Sequence, residues 1–329
     1  MFRPKVSVCI PSYNCARFLS ETIQSVLNQQ FDDYEVLIID DDSSDGTQEL
    51  LNRFSEIDKR IIVKVNNVNL GMVANWNHCL AEARGEYIHF LCADDTLVSD
   101  QALETMVALL DSDPAISLVT SSRNFIDEKS EVIRNVSYFQ DGLIADGTSI
   151  INRCLFLQKN IIGEPSSVMF RKKQASRGFD PRFRQLVDQE MWFYLLEQGR
   201  FAYIGDPLAS WRIHSAQQTN RNVQEMVHIE EMFTLMDEFG DKPYVKIGTL
   251  TMKFLRYRQS YRIWKQYKKR EITRQQALAK ISAHCEPGDF LQLIPLYKIC
   301  NPVWKLRCLF DDLTAGLTQT SQHKDVNKS

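Results

Sequence analysis

Residues 36–42 read VLIIDDD, four apolar residues followed directly by three carboxylates. A short run that is apolar at every position predicts a strand buried on both faces, as in the middle of a parallel sheet. The carboxylates then lie at the carboxyl end of the strand, the edge where open α/β sheets bind their ligands. Adjacent carboxylates repel one another, so a cation, hydrogen-bond donors or solvent must compensate them. The stretch predicts an α/β fold, and a plain solvated turn remains the alternative for its acids.

The same pattern recurs on both sides of this stretch. Short apolar runs alternate with amphipathic segments that predict helices. The other runs lie at 6–10, 61–65, 87–91 and 116–120. Five strand-turn-helix units predict a Rossmann-like, mostly parallel sheet flanked by helices. Beyond residue 217 the pattern is almost wholly helical, so we expect an α/β domain at 1–217 and a helical C-terminal extension at 218–329.

Composition places the chain among ordinary globular proteins. Of its 329 residues, 44% are hydrophobic and 25% are charged, and the formal net charge is −3. That charge does not indicate a nucleic-acid partner. No signal-peptide pattern or apolar run of membrane-spanning length is present, and the eight cysteines show neither a C-x-x-C pair nor zinc spacing. We therefore expect a cytoplasmic protein.

Two further acidic clusters follow predicted elements. Asp94 and Asp95 come directly after the strand at 87–91, where paired carboxylates suit a hard cation such as Mg²⁺ or Mn²⁺. Asp188 and Glu190 open a helix beside Trp192, where a partly desolvated carboxylate can serve as a general base. Helix capping is the structural alternative for both clusters, because acids favour helix N-termini.

Several familiar ligand-binding motifs are missing. No G-x-G-x-x-G, no G-x-x-x-x-G-K-[ST] and no G-x-S-x-G occurs, which argues against a dinucleotide-binding enzyme, an ATPase and a serine hydrolase. The first strand is followed instead by PSYN at 11–14. This turn offers the aromatic ring of Tyr13 and the amide of Asn14, which suit a nucleobase better than a phosphate.

Several segments together resemble the family 2 glycosyltransferases of the GT-A fold. They are VCIPSYN at 8–14, IIDDDSSDGT at 38–47, NLG at 69–71, ARGEY at 83–87, FLCADD at 90–95, VDQEMW at 187–192 and WRIH at 211–214. They occur in the order and at the spacing usual for the family and cover roughly residues 5–215. The resemblance implies a GT-A fold and an inverting transfer of a sugar from a nucleoside-diphosphate donor.

The resemblance also implies roles for the first two motifs. Pro11 and Tyr13 are expected to line the pocket for the base, with Asn14 in the same turn. Asp41 is expected to accept a hydrogen bond from the base, and Asp40 lies beside it. Uridine and thymidine diphosphates are the favoured donors, and guanosine stays open.

The later motifs are expected to hold the metal and to carry the chemistry. Asp94 is expected to bind Mn²⁺ or Mg²⁺, and His214 to reach the metal or the diphosphate, with a core histidine as the alternative. Asp95 is expected to contact the donor sugar or to orient waters on the metal. Asp188 is the expected base, and Glu164 a contact to the donor or acceptor, with a plain loop as the alternative.

Two positions depart from the family pattern. Cys92 replaces the first Asp of the Asp-x-Asp motif, and sulfur is a poor ligand for Mg²⁺ or Mn²⁺. The segment 74–77 reads ANWN and lacks the usual arginine, and we expect Trp76 to be a core residue. A degenerate binding protein thus remains an alternative function. A sugar nucleotidyltransferase is a weaker one, because it would want a glycine- and arginine-rich loop after the first strand.

The acceptor is expected to be a glycan or a lipid-linked saccharide, in the synthesis of surface polysaccharide or O-antigen. Residues 253–274 contain nine Lys or Arg, one acid and interleaved aromatics, a composition found on membrane surfaces. An alternative is a solvated helix whose aromatics pack on the catalytic domain. Residues 290–310 are a second candidate for peripheral membrane contact, and a homo-oligomer interface is equally open.

Overall fold

The computed structural model describes residues 3–285 and residue 290. These residues form two compact units, one of residues 3–151 and 160–222 and the other of residues 152–159, 223–285 and 290. The first unit contains a ten-stranded mixed sheet flanked by helices, which confirms the predicted α/β class. The assignment of separate roles to 1–217 and 218–329 stays a prediction.

The strands of the sheet follow the chain closely. They are β1 (Val6–Ser12), β2 (Tyr34–Asp40), β3 (Ile61–Val65), β4 (Tyr87–Phe90), β5 (Thr96–Leu97), β6 (Ile116–Ile126), β7 (Val132–Val136), β8 (Ile144–Asp146), β9 (Val168–Arg171) and β10 (Arg200–Arg212). Their order is β3-β2-β1-β4-β9-β6-β10-β5, with β7 added to β6 and β8 to β10. The helices between them are α1 (Ala16–Leu27), α2 (Thr47–Ile57), α3 (Met72–Glu82), α4 (Ala102–Ser112), α5 (Gly147–Leu157) and α6 (Val187–Leu196), with short 3₁₀ turns at Pro165–Ser167 and Lys172–Gln174.

The strands β3, β2, β1 and β4 are mutually parallel, as predicted. All seven residues of β2 are buried, because helices cover both faces of a parallel sheet, and the carboxylates of Glu35 and Asp40 accept hydrogen bonds from Ser7 and Ser12. The acids Asp40 and Asp41 therefore begin where the apolar run ends. Trp76 packs at 5.6 Å from the Phe90 ring and at 5.1 Å from Phe179, in the core as expected.

The sheet departs from uniform parallel winding beyond β4. The strand β9 lies antiparallel between β4 and β6, so its first residue, Val168, is at the edge where β4 ends. The strand β10 is 13 residues long and pairs in parallel with β6. The sequence pattern predicts a strand only at 201–204. The residues that follow, GDP at 205–207, read as a turn, but the structure accommodates them as register irregularities within β10.

The second unit is helical in its described part. Its helices are α8 (Val227–Phe239), α9 (Thr249–Lys268) and α10 (Arg274–Ser282), preceded by α7 (Gln218–Gln224) at the junction. Tyr257 and Trp264 of the basic segment are buried against Phe233 and Ile281 in the core of this same unit. These aromatics therefore pack within the helical unit.

No helix in the described part of the chain has the length and hydropathy needed to cross a bilayer. The predicted membrane segment 290–310 lies outside the described residues except for Phe290.

Candidate active site

The acid that ends β2 holds the neighbouring loop together. Asp40 is fully buried, and its carboxylate accepts hydrogen bonds from Ser12 Oγ at 3.0 Å, Ser43 N at 2.9 Å and Gln48 Nε2 at 3.1 Å. These donors compensate a charge that would otherwise be costly to bury. Asp40 therefore determines the path of the loop after β2, and a direct contact between Asp40 and a donor stays a prediction.

The turn after β1 exposes the aromatic ring of Tyr13 to solvent. Asn14 donates its backbone N–H to Ser43 Oγ at 2.8 Å and accepts from Ser44 N at 2.9 Å, which ties the first two loops together. Pro11 is half-buried, while Tyr13 is 54% exposed beside this junction. An exposed ring on a rigid turn is suited to stacking on a nucleobase.

Asp41 faces the start of the next helix. Its Oδ1 accepts from Asn66 Nδ2 at 2.7 Å and from Leu70 N at 2.8 Å, and its Oδ2 accepts from Gly71 N at 2.9 Å. A carboxylate has about four acceptor positions, so Oδ2 keeps capacity for one more donor. Asp41, which is 2% exposed, is thus held in place by protein donors, and its hydrogen bond to a base stays a prediction.

The structure brings Asp94 and His214 together across 120 residues of sequence. His214 Nε2 lies 2.8 Å from Asp94 Oδ2, and both side chains are largely buried. The pairing arises because β5, which follows the two acids, lies antiparallel to β10, with Thr96 opposite Ser210. The end of β10 therefore carries His214 to the same edge of the sheet as Asp94.

Asp95 lies deeper than its neighbour. It is fully buried, and its two carboxylate oxygens accept from Ser166 Oγ at 2.5 Å and from Arg212 N at 2.9 Å. Burial, reinforced by the adjacent Asp94 carboxylate, raises the pKa of Asp95 well above its usual range. Asp95 therefore fixes the acidic turn to Ser166 and Arg212 through buried hydrogen bonds. Its contact with a donor sugar or with metal-bound water stays a prediction.

A fully buried arginine holds the backbone of the acidic turn. Arg212 Nε donates to the Asp94 carbonyl at 2.7 Å, and its Nη2 pairs with Glu21 Oε2 at 2.7 Å. Its Nη1 donates to the Asp127 carbonyl at 3.1 Å and to Ser130 Oγ at 2.9 Å. Because a buried guanidinium needs such partners, Arg212 locks the acidic turn to α1 and to the β6–β7 turn.

Cys92 lies beside both acids, and ligand-type atoms of Cys92, Asp94 and Asp95 lie within 4.8 Å of one another. Burial, followed by the carboxylates of Asp95, Asp94 and Asp188, raises the pKa of the Cys92 thiol. A protonated thiol is a poor ligand for a hard cation, and Asp95 is fully buried, whereas the Asp94 side chain is 25% exposed. The carboxylate of Asp94 and the imidazole of His214 are the groups here that fit Mn²⁺ or Mg²⁺.

Asp188 is a half-buried residue in the first turn of α6. Its Oδ1 accepts from Gln189 N at 2.8 Å, and its Oδ2 accepts from Asn160 Nδ2 at 3.0 Å. Burial, with the neighbouring Glu164 carboxylate, raises the pKa of Asp188 to about 7. A carboxyl group with this pKa can take up and release a proton near neutral pH.

The two remaining acids in this region form ion pairs. Glu164 pairs with Arg123, which is 3% exposed, so a contact between Glu164 and a sugar stays a prediction that competes with this pair. Glu190 is buried and makes a bidentate pair with Arg177 at 2.7 and 2.6 Å. Asp188, the other acid that opens α6, has no cationic hydrogen-bond partner among residues 3–285 and residue 290.

Sequence reasoning does not single out Asn160, Ser166 or Arg212. Arg212 lies in the WRIH motif at 211–214, so the family resemblance could have indicated that this arginine belongs to the site. Asn160 and Ser166 lie in a loop with Gly and Pro that reads as a plain connection. They reach the site because the antiparallel strand β9 starts at the edge where β4 ends.

A mixed α/β sheet with acids at the carboxyl ends of its strands is the arrangement that the resemblance to glycosyltransferases implies. Residues 7–176 match the profile of Glycosyl transferase family 2, and the chain belongs to this family. This result confirms the family that the motifs indicate.

Two curated relatives illustrate the family. The chain is 30% identical over 213 residues to the putative teichuronic acid biosynthesis glycosyltransferase TuaG of Bacillus subtilis, covering 64% of this chain and 80% of that protein. It is 31% identical over 211 residues to the GalNAc(5)-diNAcBac-PP-undecaprenol beta-1,3-glucosyltransferase of Campylobacter jejuni, covering 64% and 65% of the two chains.

Solved structures share the fold at low sequence identity. S. aureus TarS 1–349 in complex with UDP-GlcNAc superposes with a TM-score of 0.61 at 15% identity, over 88% of this chain and 82% of that one. The mannosyltransferase PcManGT of Pyrobaculum calidifontis, in complex with GDP-Man and Mn²⁺, gives a TM-score of 0.59 at 16% identity, over 99% and 89%. Both superpositions support the fold described above.

Proposed function

We propose that this chain is an inverting glycosyltransferase that moves a sugar from a nucleoside-diphosphate donor to an acceptor hydroxyl. The observation that carries the proposal is the pairing of His214 Nε2 with Asp94 Oδ2 at the carboxyl edge of the sheet. The Asp188 carboxylate is close enough to the Cys92 thiol to help raise its pKa, as the carboxylates of Asp94 and Asp95 also do. In this proposal, one site would contain both a group for binding the leaving diphosphate and a group for accepting a proton.

In this proposal Asp94 and His214 would hold Mn²⁺ or Mg²⁺. When bound, such an ion neutralises the charge that develops on the leaving diphosphate. The presence of Mn²⁺ in the complex of the mannosyltransferase neighbour supports this choice of cofactor. Arg212 and Asp95 contribute by holding the acidic turn in place, so that Asp94 keeps its orientation.

The donor base would lie between the exposed Tyr13 ring and the Asp41 carboxylate. In a nucleotide, uracil and thymine each present a single N–H donor, whereas guanine presents a ring N–H and an exocyclic amine. Asp41 Oδ2 has room for one more donor, which favours UDP or dTDP. Neighbours of the same fold bind UDP-GlcNAc and GDP-Man, so a guanosine donor is the second candidate. The sugar itself is not specified by these contacts.

Asp188 would accept the proton of the acceptor hydroxyl while the anomeric carbon is attacked from the side opposite the diphosphate. One displacement of this kind inverts the anomeric configuration. A raised pKa of about 7 suits the residue, because a general base works best with a pKa close to the working pH.

The biological setting would be the assembly of a polysaccharide or of a lipid-linked saccharide at the cytoplasmic face of a membrane. The names of the two curated relatives, which mention teichuronic acid biosynthesis and an undecaprenol-linked acceptor, support this setting. We assign donor binding and catalysis to residues 1–217. The extension at 218–329 would make contacts with a bilayer or with a second subunit.

The first test is a thermal-shift screen of UDP, dTDP, GDP and CDP with and without Mn²⁺ or Mg²⁺. A ligand that binds only the native state at ~100 times its Kd adds roughly 2.7 kcal/mol of stability. We expect a metal-dependent rise in Tm with one nucleotide, and its loss in Asp94→Ala. The control is Glu104→Ala, which removes an exposed carboxylate from α4 and should leave the shift unchanged.

Substitution of the base separates catalysis from binding. Asp188→Asn should reduce transfer by at least about 100-fold while the nucleotide shift persists, because this carboxylate acts on the acceptor. If no nucleotide shifts the Tm of a folded sample, a degenerate protein becomes the better description. Near-normal turnover in Asp188→Asn would show that the base is another residue.

A further inference from the structure

A loop amide contacts the proposed base. Asn160 begins the segment 160–167, which leads into β9, and its Nδ2 donates to Asp188 Oδ2 at 3.0 Å. The same segment carries Ser166, whose hydroxyl contacts Asp95 and Cys92 N on the metal side of the site. One short segment therefore touches both the proposed base and the acidic turn.

The orientation of the Asn160 amide is determined by its neighbours. Its Oδ1 accepts from the backbone N–H groups of Ile162 and Gly163, each at 3.1 Å. A backbone N–H can only donate, so the amide oxygen must face these two groups. The amide nitrogen must then face Asp188 and the Gly163 carbonyl, which it reaches at 3.1 Å.

This arrangement restrains the Asp188 carboxylate at both oxygens. Oδ2 receives the Asn160 amide, and Oδ1 receives the N–H of Gln189 from its own helix. The charged side chains that act on the carboxylate from other elements are Glu164 and Arg123. With one donor on each oxygen, rotation of the carboxyl plane is blocked, and a lone pair on each oxygen stays available for a proton.

We propose that Asn160 is a positioning residue that holds Asp188 in the orientation needed to receive the acceptor proton. This inference rests on the proposed function, in which Asp188 is the base. Asn160 stabilises the ionised carboxylate through a charge-assisted hydrogen bond and does not itself contact the reacting atoms.

The test is Asn160→Asp, which has nearly the same shape. The variant keeps an acceptor for the Ile162 and Gly163 N–H groups and replaces the donor facing Asp188 by an oxygen. Asn152→Asp is the matched control, because Asn152 likewise donates to a carbonyl, that of Tyr244, and accepts from Lys246 N. Release of nucleoside diphosphate from UDP-glucose, dTDP-glucose and GDP-mannose with Mn²⁺ is measured for each variant.

We expect kcat of Asn160→Asp to fall about 10- to 100-fold with little change in donor KM. The acid limb of its rate profile should move to higher pH, because a donor to the carboxylate is lost and a like charge is added. Asn152→Asp should behave as the unmodified chain. Equal losses in both variants would overturn the proposal, because they would show a general effect of losing an amide.

A second readout does not need turnover. Carbon-13 NMR titration of the aspartate carboxyls, with Asp188 assigned from Asp188→Asn, should show a higher Asp188 pKa in Asn160→Asp and no change in Asn152→Asp. An unchanged Asp188 titration together with unchanged kcat would overturn the positioning role. A third outcome is that Asp188→Asn keeps its activity while the Asp188 titration still shifts in Asn160→Asp. That result would refute Asp188 as the base but would leave the contact between Asn160 and Asp188 supported.

Discussion

Asp188 illustrates how a single residue acquires reactivity from its surroundings. Burial of its carboxyl, with the nearby Glu164 carboxylate, raises its pKa to about 7. Between its ordinary pKa of 3.8 and the raised value of about 7, the folded chain holds this proton more tightly than the unfolded chain does. The free energy of unfolding therefore falls as the pH rises through this range to 7. This residue therefore reduces stability at neutral pH and in return provides a base of suitable strength.

The pKa of Asp188 predicts the pH dependence of the reaction. The base must be ionised to accept a proton, so the rate should be half-maximal near pH 7 and should fall about tenfold per pH unit below it. An ordinary aspartate would place this limb near pH 4. Initial rates at saturating donor across the pH range check the prediction, and a flat profile between pH 5 and 8 would contradict it.

At the scale of elements, the segment 160–167 joins parts of the site that are distant in sequence. The Gly163 carbonyl accepts from the buried Trp192 indole at 2.9 Å, which fixes this segment against α6. Gly163 has a φ of 145°, and a Cβ there would lie 2.3 Å from Ser167 Oγ and 3.1 Å from Thr120 Oγ1. Glycine is thus required both by backbone conformation and by the space available.

Gly163→Ala should therefore damage both stability and transfer. We expect a loss of roughly 2 to 5 kcal/mol in the free energy of unfolding, from backbone strain and overpacking together. Gly142→Ala is the matched control, since Gly142 also has a positive φ, 72°, but a Cβ at this position would meet no atom within 4 Å. It should lose only roughly 1 to 2 kcal/mol.

Urea denaturation of both glycine variants measures these differences. If Gly163→Ala loses no more than Gly142→Ala, the segment can relax around the new methyl group. In that case the close contacts at Gly163 do not determine the geometry of the site.

At the scale of the whole molecule, the two units have separate hydrophobic cores. The basic helix α9 of the second unit buries Tyr257 and Trp264 in its own core. The cations at its C-terminal end remain exposed, namely Lys265, Lys268, Lys269 and Arg270. Because Tyr257 and Trp264 are buried, we expect the described part of this segment to bind a bilayer mainly through its cations.

Vesicle flotation tests this expectation. We expect association with anionic vesicles at low salt, release at high salt and no association with neutral vesicles. Lys268→Gln with Lys269→Gln should weaken binding about 30-fold, at about 1 kcal/mol per charge. Lys59→Gln with Lys129→Gln, two exposed lysines of the first unit, is the control. Salt-resistant binding would instead indicate apolar insertion.

Local sequence determined the class of the fold and the position of the acids. The run at 36–39 had to be a buried strand, and Asp40 and Asp41 had to follow it at the carboxyl edge, because hydrophobic patterning acts over a few residues. The same reasoning correctly placed β1 to β4 and the helices between them. The motifs also indicated the family.

Tertiary structure alone decided how distant residues meet. The antiparallel course of β9 carries Asn160 to Asp188, and the pairing of β5 with β10 carries His214 to Asp94. Hydrophobic patterning cannot foresee either pair, because both depend on the order and direction of strands that are far apart in the chain, and only the family resemblance indicated that Asp94 and His214 share a site. The same contacts determine which acids are already satisfied and which remain available for chemistry.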